Sequence, residues 1–105
     1  GGVRAPPHFL GKGKQYNISM DMWLPVSGMT LLEEEEMPEF VTSPSSYVAL
    51  RNVLLERWHA ESSREYTEEQ AQRDAPMVFQ HPAAQRLAVQ RVHSFLTTYG
   101  HINSG

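Results

Sequence analysis

Five histidines, His8, His59, His81, His93 and His101, are the side chains in this 105-residue chain best suited to hold a metal or move a proton. No two stand four residues apart, the separation that sets two imidazoles on one helical face, and there is no cysteine to complete a thiolate set. Neither a metal site nor a cofactor is expected. Ser46, Ser62 and Ser63 lie in no nucleophile motif. The carboxylates gather at helix amino ends rather than in the facing pair that acid–base chemistry needs. Gly11-Lys12-Gly13-Lys14 has the flavour of a phosphate loop, but no Ser or Thr follows the lysine and no strand precedes it. The chain is read as non-catalytic.

Recognition is the other chemistry on offer. Arg86, Gln90, His93 and Thr97 recur at helical spacing and share one face. Arginine can pair with a guanine edge and glutamine with an adenine edge, so this face is a candidate contact for duplex DNA, with Lys12 and Lys14 assisting. The plainer reading is a solvated helix face, since two arginines neutralise little phosphate charge. Arg51 and Asn52 pose the opposite problem. Arg51 falls on an otherwise apolar stripe, where a guanidinium must snorkel or find a carboxylate. The expectation is a buried or half-buried structural charge tied to Glu39 or another acid. Ser43-Pro44 could accept a phosphoryl group, but helix capping already accounts for a serine there.

Charge is unevenly spread along the chain. Residues 1–20 carry Arg4, Lys12 and Lys14 and no acid; residues 21–74 hold all 12 acids against Arg51, Arg57, Arg64 and Arg73; residues 75–105 have Arg86 and Arg91 and no acid. A dense cationic surface, which nonspecific DNA binding requires, is not available. No apolar run reaches the length of a membrane span. Without cysteine, disulfides are excluded, and a reducing compartment is the natural setting.

These residues need helices to position them. Residues 1–29 read as a basic arm with an apolar cluster (Ile18, Met20, Met22, Trp23, Leu24) that should lie against the domain or a partner. A short helix should open at Thr30, where Thr30 and Glu33 spell a capping box, and Pro38 should end it. The Glu33–Glu36 run reads as a solvated face. A second helix should start at Ser43-Pro44 and reach about Glu61, with Tyr47, Leu50, Leu54 and Trp58 as its buried stripe. Thr67 and Gln70 form another capping box for a third helix to Ala75. The last helix begins near Pro82, buries Ala88, Val89, Val92, Phe95, Leu96 and Tyr99, and stops at Gly100. Ile102 should fold back onto the core. No alternation long enough for a strand is visible. The class is all-α: a compact helical bundle.

Three blocks then carry a family resemblance, from Met37 to Ser104. They are Pro38-Glu39-Phe40; Tyr47-Val48-Ala49-Leu50-Arg51-Asn52 with Leu54 and Trp58; and Arg91-Val92-His93-Ser94-Phe95-Leu96 with Tyr99-Gly100 and Ile102-Asn103. In order and spacing the chain resembles a SWIRM domain, here over residues 30–105. The resemblance implies a helix-turn-helix-like, winged-helix-related carboxyl half, although too few residues follow Gly100 for a wing. It implies a nuclear, chromatin-associated interaction module that docks on an adjoining catalytic domain or complex subunit and helps engage histone or nucleosome. A contact of the Glu33–Glu36 run with basic histone tails is one form this could take. The exposed surfaces of the 44–61 and 83–99 helices and the arm around Trp23 would carry the contacts. The wording is nearest to the flavin-dependent histone lysine demethylase branch. Other branches imply a duplex-DNA-binding role in transcription regulation.

Overall fold

The computed structural model describes residues 15–17 and 23–104. Lys12, Lys14, Ile18, Met20 and Met22 lie outside the described residues, and of Trp23 only the backbone is described. Two short strands, β1 (Gln15–Asn17) and β2 (Trp23–Pro25), pair antiparallel, with Tyr16 opposite Leu24. They are followed by helix α1 (Leu31–Glu36), a 3₁₀ turn (Pro38–Phe40), α2 (Pro44–Ala60), α3 (Glu68–Asp74) and α4 (Pro82–Thr98). The all-α class holds, with this one short strand pair added ahead of the helices. Three residues are too few for alternation to show in a sequence, and the partner strand supplies the hydrogen bonds that stabilise each.

Two helix starts follow their capping boxes closely. Thr30 and Thr67 have extended backbone (ψ 165° and 162°), and each hydroxyl accepts the N–H three residues on while Glu33 or Gln70 reaches back. Ser43 behaves differently. It stands at the N-cap of α2, but its ψ is 61° and its side chain caps nothing. Pro44 at the first helical position has no N–H to satisfy and holds φ for the helix, so the helix starts without the serine bond. Capping therefore does not account for Ser43.

The long helices α2 and α4 lay their stripes against one core. Tyr47, Val48, Leu50, Leu54, Leu55 and Trp58 are buried from α2, and Ala88, Val89, Val92, Phe95 and Leu96 from α4. Leu24, Met37, Phe40, Tyr66, Ala71 and Ile102 close the cluster, and Tyr99 packs half-buried at its edge. Burial of each large aliphatic or aromatic chain contributes about 1.5–3 kcal/mol. The core thus reaches forward to Leu24, within the stretch read as an arm.

Helix α4 ends in a Schellman arrangement. Gly100 sits at φ 76°. The His101 N–H donates to the Leu96 carbonyl (2.8 Å) and the Gly100 N–H to that of Thr97 (3.2 Å). This turn throws Ile102 back under the core. Gly100→Ala is expected to cost about 1–2 kcal/mol, because a Cβ is strained at positive φ. A urea melt with an unchanged m-value would check it; an unshifted midpoint would show that the turn tolerates a side chain.

Candidate functional site

The most unusual chemistry lies inside the molecule. Glu33 and Arg51 are both fully buried (0% exposed) and form an ion pair at 2.8 Å. Arg51 Nη1 donates to both Glu33 oxygens (3.0 and 2.8 Å) and to the Gly28 carbonyl (3.2 Å), and Nη2 donates to the Pro25 carbonyl. Arg51 Nε reaches Asn52 Oδ1 at 3.2 Å, while Asn52 Nδ2 donates to the Val26 carbonyl at 3.0 Å. The Tyr47 hydroxyl donates to Glu33 Oε2, and the Thr30 N–H donates to Oε1 at 2.7 Å. Burial, then the adjacent Glu33 charge, hold the Tyr47 phenol far above its usual pKa. A charge pair this dry persists only when nearly every donor and acceptor is met, as here.

The arrangement is a clamp. It ties α1, α2 and the 25–28 segment together, with the Tyr47 ring 5.6 Å from the guanidinium carbon. Arg51 is the buried charge the sequence led one to expect, with another acid than Glu39 as its partner, while the reading of Glu33 changes. Arg51 pairs with Glu33 and not Glu39, and Glu33 is not part of a solvated face; only Glu34, Glu35 and Glu36 are exposed. The physical reason is the capping box itself. As the third residue of α1, Glu33 turns back over its helix start, and that turn carries it inward. The capping motif was the signal that could have singled Glu33 out of its run.

Glu39 serves elsewhere. It pairs with Arg91 on α4 (Nε–Oε2 2.5 Å; Nη2–Oε1 3.1 Å), and Arg91 Nη2 also donates to the Glu36 carbonyl (2.8 Å). The arginine holds the Glu39 carboxyl below its ordinary pKa. Both side chains are about half exposed, so the pair positions more than it stabilises.

The candidate nucleic-acid face divides. Arg86, Gln90 and Thr97 are exposed. His93 is half-buried, and its Nε2 lies 2.7 Å from the Tyr66 carbonyl, a bond that fixes the proton on that nitrogen. Asn103, at φ 57°, accepts the Tyr66 N–H at 2.6 Å and donates to the Tyr66 carbonyl at 2.9 Å and to Thr97 Oγ1 at 3.4 Å. Gln72 Nε2 bridges the Arg86 backbone carbonyl (3.0 Å) and the Glu68 carboxylate (3.2 Å), which brings an acid near the Arg86 backbone. His93 thus acts as a brace between α4 and the start of α3.

Sequence reasoning passed over Gln85. Buried in the first turns of α4, it accepts the Val78 and Phe79 N–H groups (both 3.1 Å) and donates to the Pro76 carbonyl (2.9 Å), bracketing the α3–α4 connector. A lone glutamine carries no pattern that would announce this. The bracket holds Phe79 beside Phe40 (ring centroids 6.0 Å apart). Between them and α4 runs a groove of about 460 Å³. Phe40, Phe79, Ala84, Leu87 and Ala88 wall it, and the Glu39–Arg91 pair bounds it. Leu87, 61% exposed, stands on its lip. Its position roughly 80° outside the α4 stripe was the sequence signal for it.

Among the described residues, no group of three metal-ligating side chains comes together. None of their helices is long and apolar enough to cross a membrane. No curated protein matches the chain. The SWIRM domain family matches residues 21–104, beginning well before Met37, where the residue-by-residue resemblance starts. That span covers most of the sequence, including the 25–28 segment clamped by Arg51, the buried stripes of α2 and α4, and the turn at Gly100. The chain therefore belongs to the SWIRM-domain family of non-catalytic, chromatin-associated modules.

Proposed function

We propose that this domain docks on an adjoining catalytic domain or a complex subunit of a nuclear chromatin regulator and helps engage histone or the nucleosome. The observation that carries this reading is the exposed apolar groove along α4, in a domain whose buried charge pair is consumed by structure. Open apolar surface of this kind fits a partner face. The demethylase branch, with a flavin enzyme domain beyond residue 105, is the parent that the sequence wording favours.

A second reading, duplex-DNA binding through α4, rests on the exposure of Arg86 and Gln90 on one face. The bracing of His93 and the nearby Glu68 count against it. Gel shifts comparing reconstituted nucleosomes with the same duplex free of histones separate the two. Docking predicts a preference for the nucleosome, or silence toward both at low salt, with Arg86→Glu making little difference. Equal binding to naked duplex that falls steeply with salt and is lost in Arg86→Glu would overturn it.

A further inference from the structure

We propose that the groove between Phe40, Phe79 and α4 takes one specific kind of partner segment: an extended basic peptide that seats a large apolar side chain beside Leu87 and lays its cations over the exposed end of α1. This rests on the docking reading and names the chemistry of its partner.

Three observations converge. The groove is almost wholly apolar in its walls, and at about 460 Å³ it has room for more than one side chain. Leu87 on its lip is largely exposed although it sits in the middle of a well-packed helix. Among the described residues, the end of α1 that Arg91 touches is acidic. Arg91, the only cation lining the groove among the described residues, is already paired with Glu39, and Nη2 also donates to the Glu36 carbonyl. Past that pair lie Glu34, Glu35 and Glu36, all exposed, and α1 has no basic residue in its last turn. An apolar trough therefore opens onto an anionic platform. Complementarity selects an occupant that is apolar at one point and cationic next to it.

Spacing follows from helix geometry. Leu87 and Arg91 are one turn apart, a rise of about 6 Å. An extended segment advances about 3.3 Å per residue. The partner's first cation must clear Arg91 to reach the acidic end of α1, so it should stand at least two residues from the anchor. The face used is also distinct from the one bearing Arg86, Gln90 and Thr97. On a helical wheel Leu87 and Arg91 flank the buried stripe on one side, and those three residues lie beyond the other.

The test is an NMR titration of the whole ¹⁵N-labelled chain with the synthetic peptide Gly-Leu-Ala-Lys-Arg-Lys-Gly, and with the same residues in reverse order. The amides of Phe40, Phe79, Leu87, Ala88, Glu35 and Glu36 are expected to shift together. Replacing the peptide's leucine with serine should weaken binding at least tenfold, as should Leu87→Glu in the protein. The combined substitution Glu34→Gln, Glu35→Gln and Glu36→Gln should weaken it about threefold or more. Leu87 is exposed, so its variant retains the fold, and unchanged amide dispersion verifies that.

Four results would overturn the proposal: no shifts at the groove at millimolar peptide; equal binding by the serine peptide or by one with glutamates for its cations; contacts from Phe9 and Leu10 of the chain itself that the peptide cannot displace; or self-association abolished by Leu87→Glu, which would make a second copy the occupant. Any of these leaves the docking reading standing if nucleosome preference persists in the gel shifts. Loss of that preference to naked DNA sinks the reading itself.

Discussion

Replacing Arg51 with methionine is expected to lower stability by about 3–5 kcal/mol, the largest loss of any single substitution considered. Methionine fills much of the same volume but offers no donor. The Glu33 carboxylate would stay buried with only the Tyr47 hydroxyl and the Thr30 N–H for company, and the carbonyls of Pro25 and Gly28 would each lose the guanidinium. For a domain of this size the shift corresponds to a fall of roughly 15–30 °C in Tm. Thermal and urea unfolding would measure it. The informative companion is the double variant Arg51→Met with Glu33→Leu. It removes both charges, and a buried ion pair replaced whole by apolar residues often costs little. A substantial recovery in the double variant identifies an uncompensated charge as the source of the damage. If Arg51→Met folds with wild-type stability but no longer binds its partner, the clamp is a recognition site and its structural role is wrong.

The second large effect concerns His101. Its ring is 1% exposed and stacks on Phe95 (centroids 5.7 Å apart, planes 23° from parallel). Neither ring nitrogen has a hydrogen-bond partner among the described residues. Burial drives its pKa down to about 4 from an ordinary 6.5, with Glu33 pulling weakly the other way and Arg51 reinforcing the fall. In the unfolded chain the imidazole takes up its proton near the ordinary value, so the folded state binds fewer protons between those two pH values. Stability is therefore complete above about pH 6.5 and declines as pH falls toward 4, by up to about 3 kcal/mol from this residue. Glu39, held below its ordinary value by Arg91, adds its own loss only further into acid. His59, also held below its ordinary value by burial, weakens the fold in the same sense as pH falls, so the substitution must isolate His101. His101→Leu keeps a similar volume and brings no polar atom. It is expected to raise stability by about 1–3 kcal/mol at neutral pH and to flatten the profile between pH 6.5 and 4. A profile as steep as the parent's would assign the acid sensitivity to other groups.

Leu87 connects these interior features to the surface. The same helix that buries Phe95 and Leu96 presents Leu87 outward, and Gln85 fixes the aromatic wall opposite it. The core and the groove thus share α4, but they use different flanks. Substitutions at Leu87 or Glu34–Glu36 should report on partner binding with little change in stability, while those at Arg51 and His101 should do the reverse.

The sequence by itself determined the helices and the family. Capping boxes at Thr30 and Thr67, prolines at 44 and 82 and the glycine at 100 are local signals, decided within a few residues. Apolar periodicity in α2 and α4 is equally local, and it placed Trp58 and Phe95 in the core. Only the tertiary structure decided which polar groups meet. Glu33 rather than Glu39 answers Arg51 across 18 positions, Arg91 takes Glu39 across 52, and Asn103 braces Tyr66 across 37. Such pairings depend on where whole helices come to rest: the capping box turns Glu33 inward, but it does not choose Arg51 as the partner. The same holds for the groove: Phe40, Phe79 and Leu87 come from three separate segments, and their common surface exists only once α4 has packed.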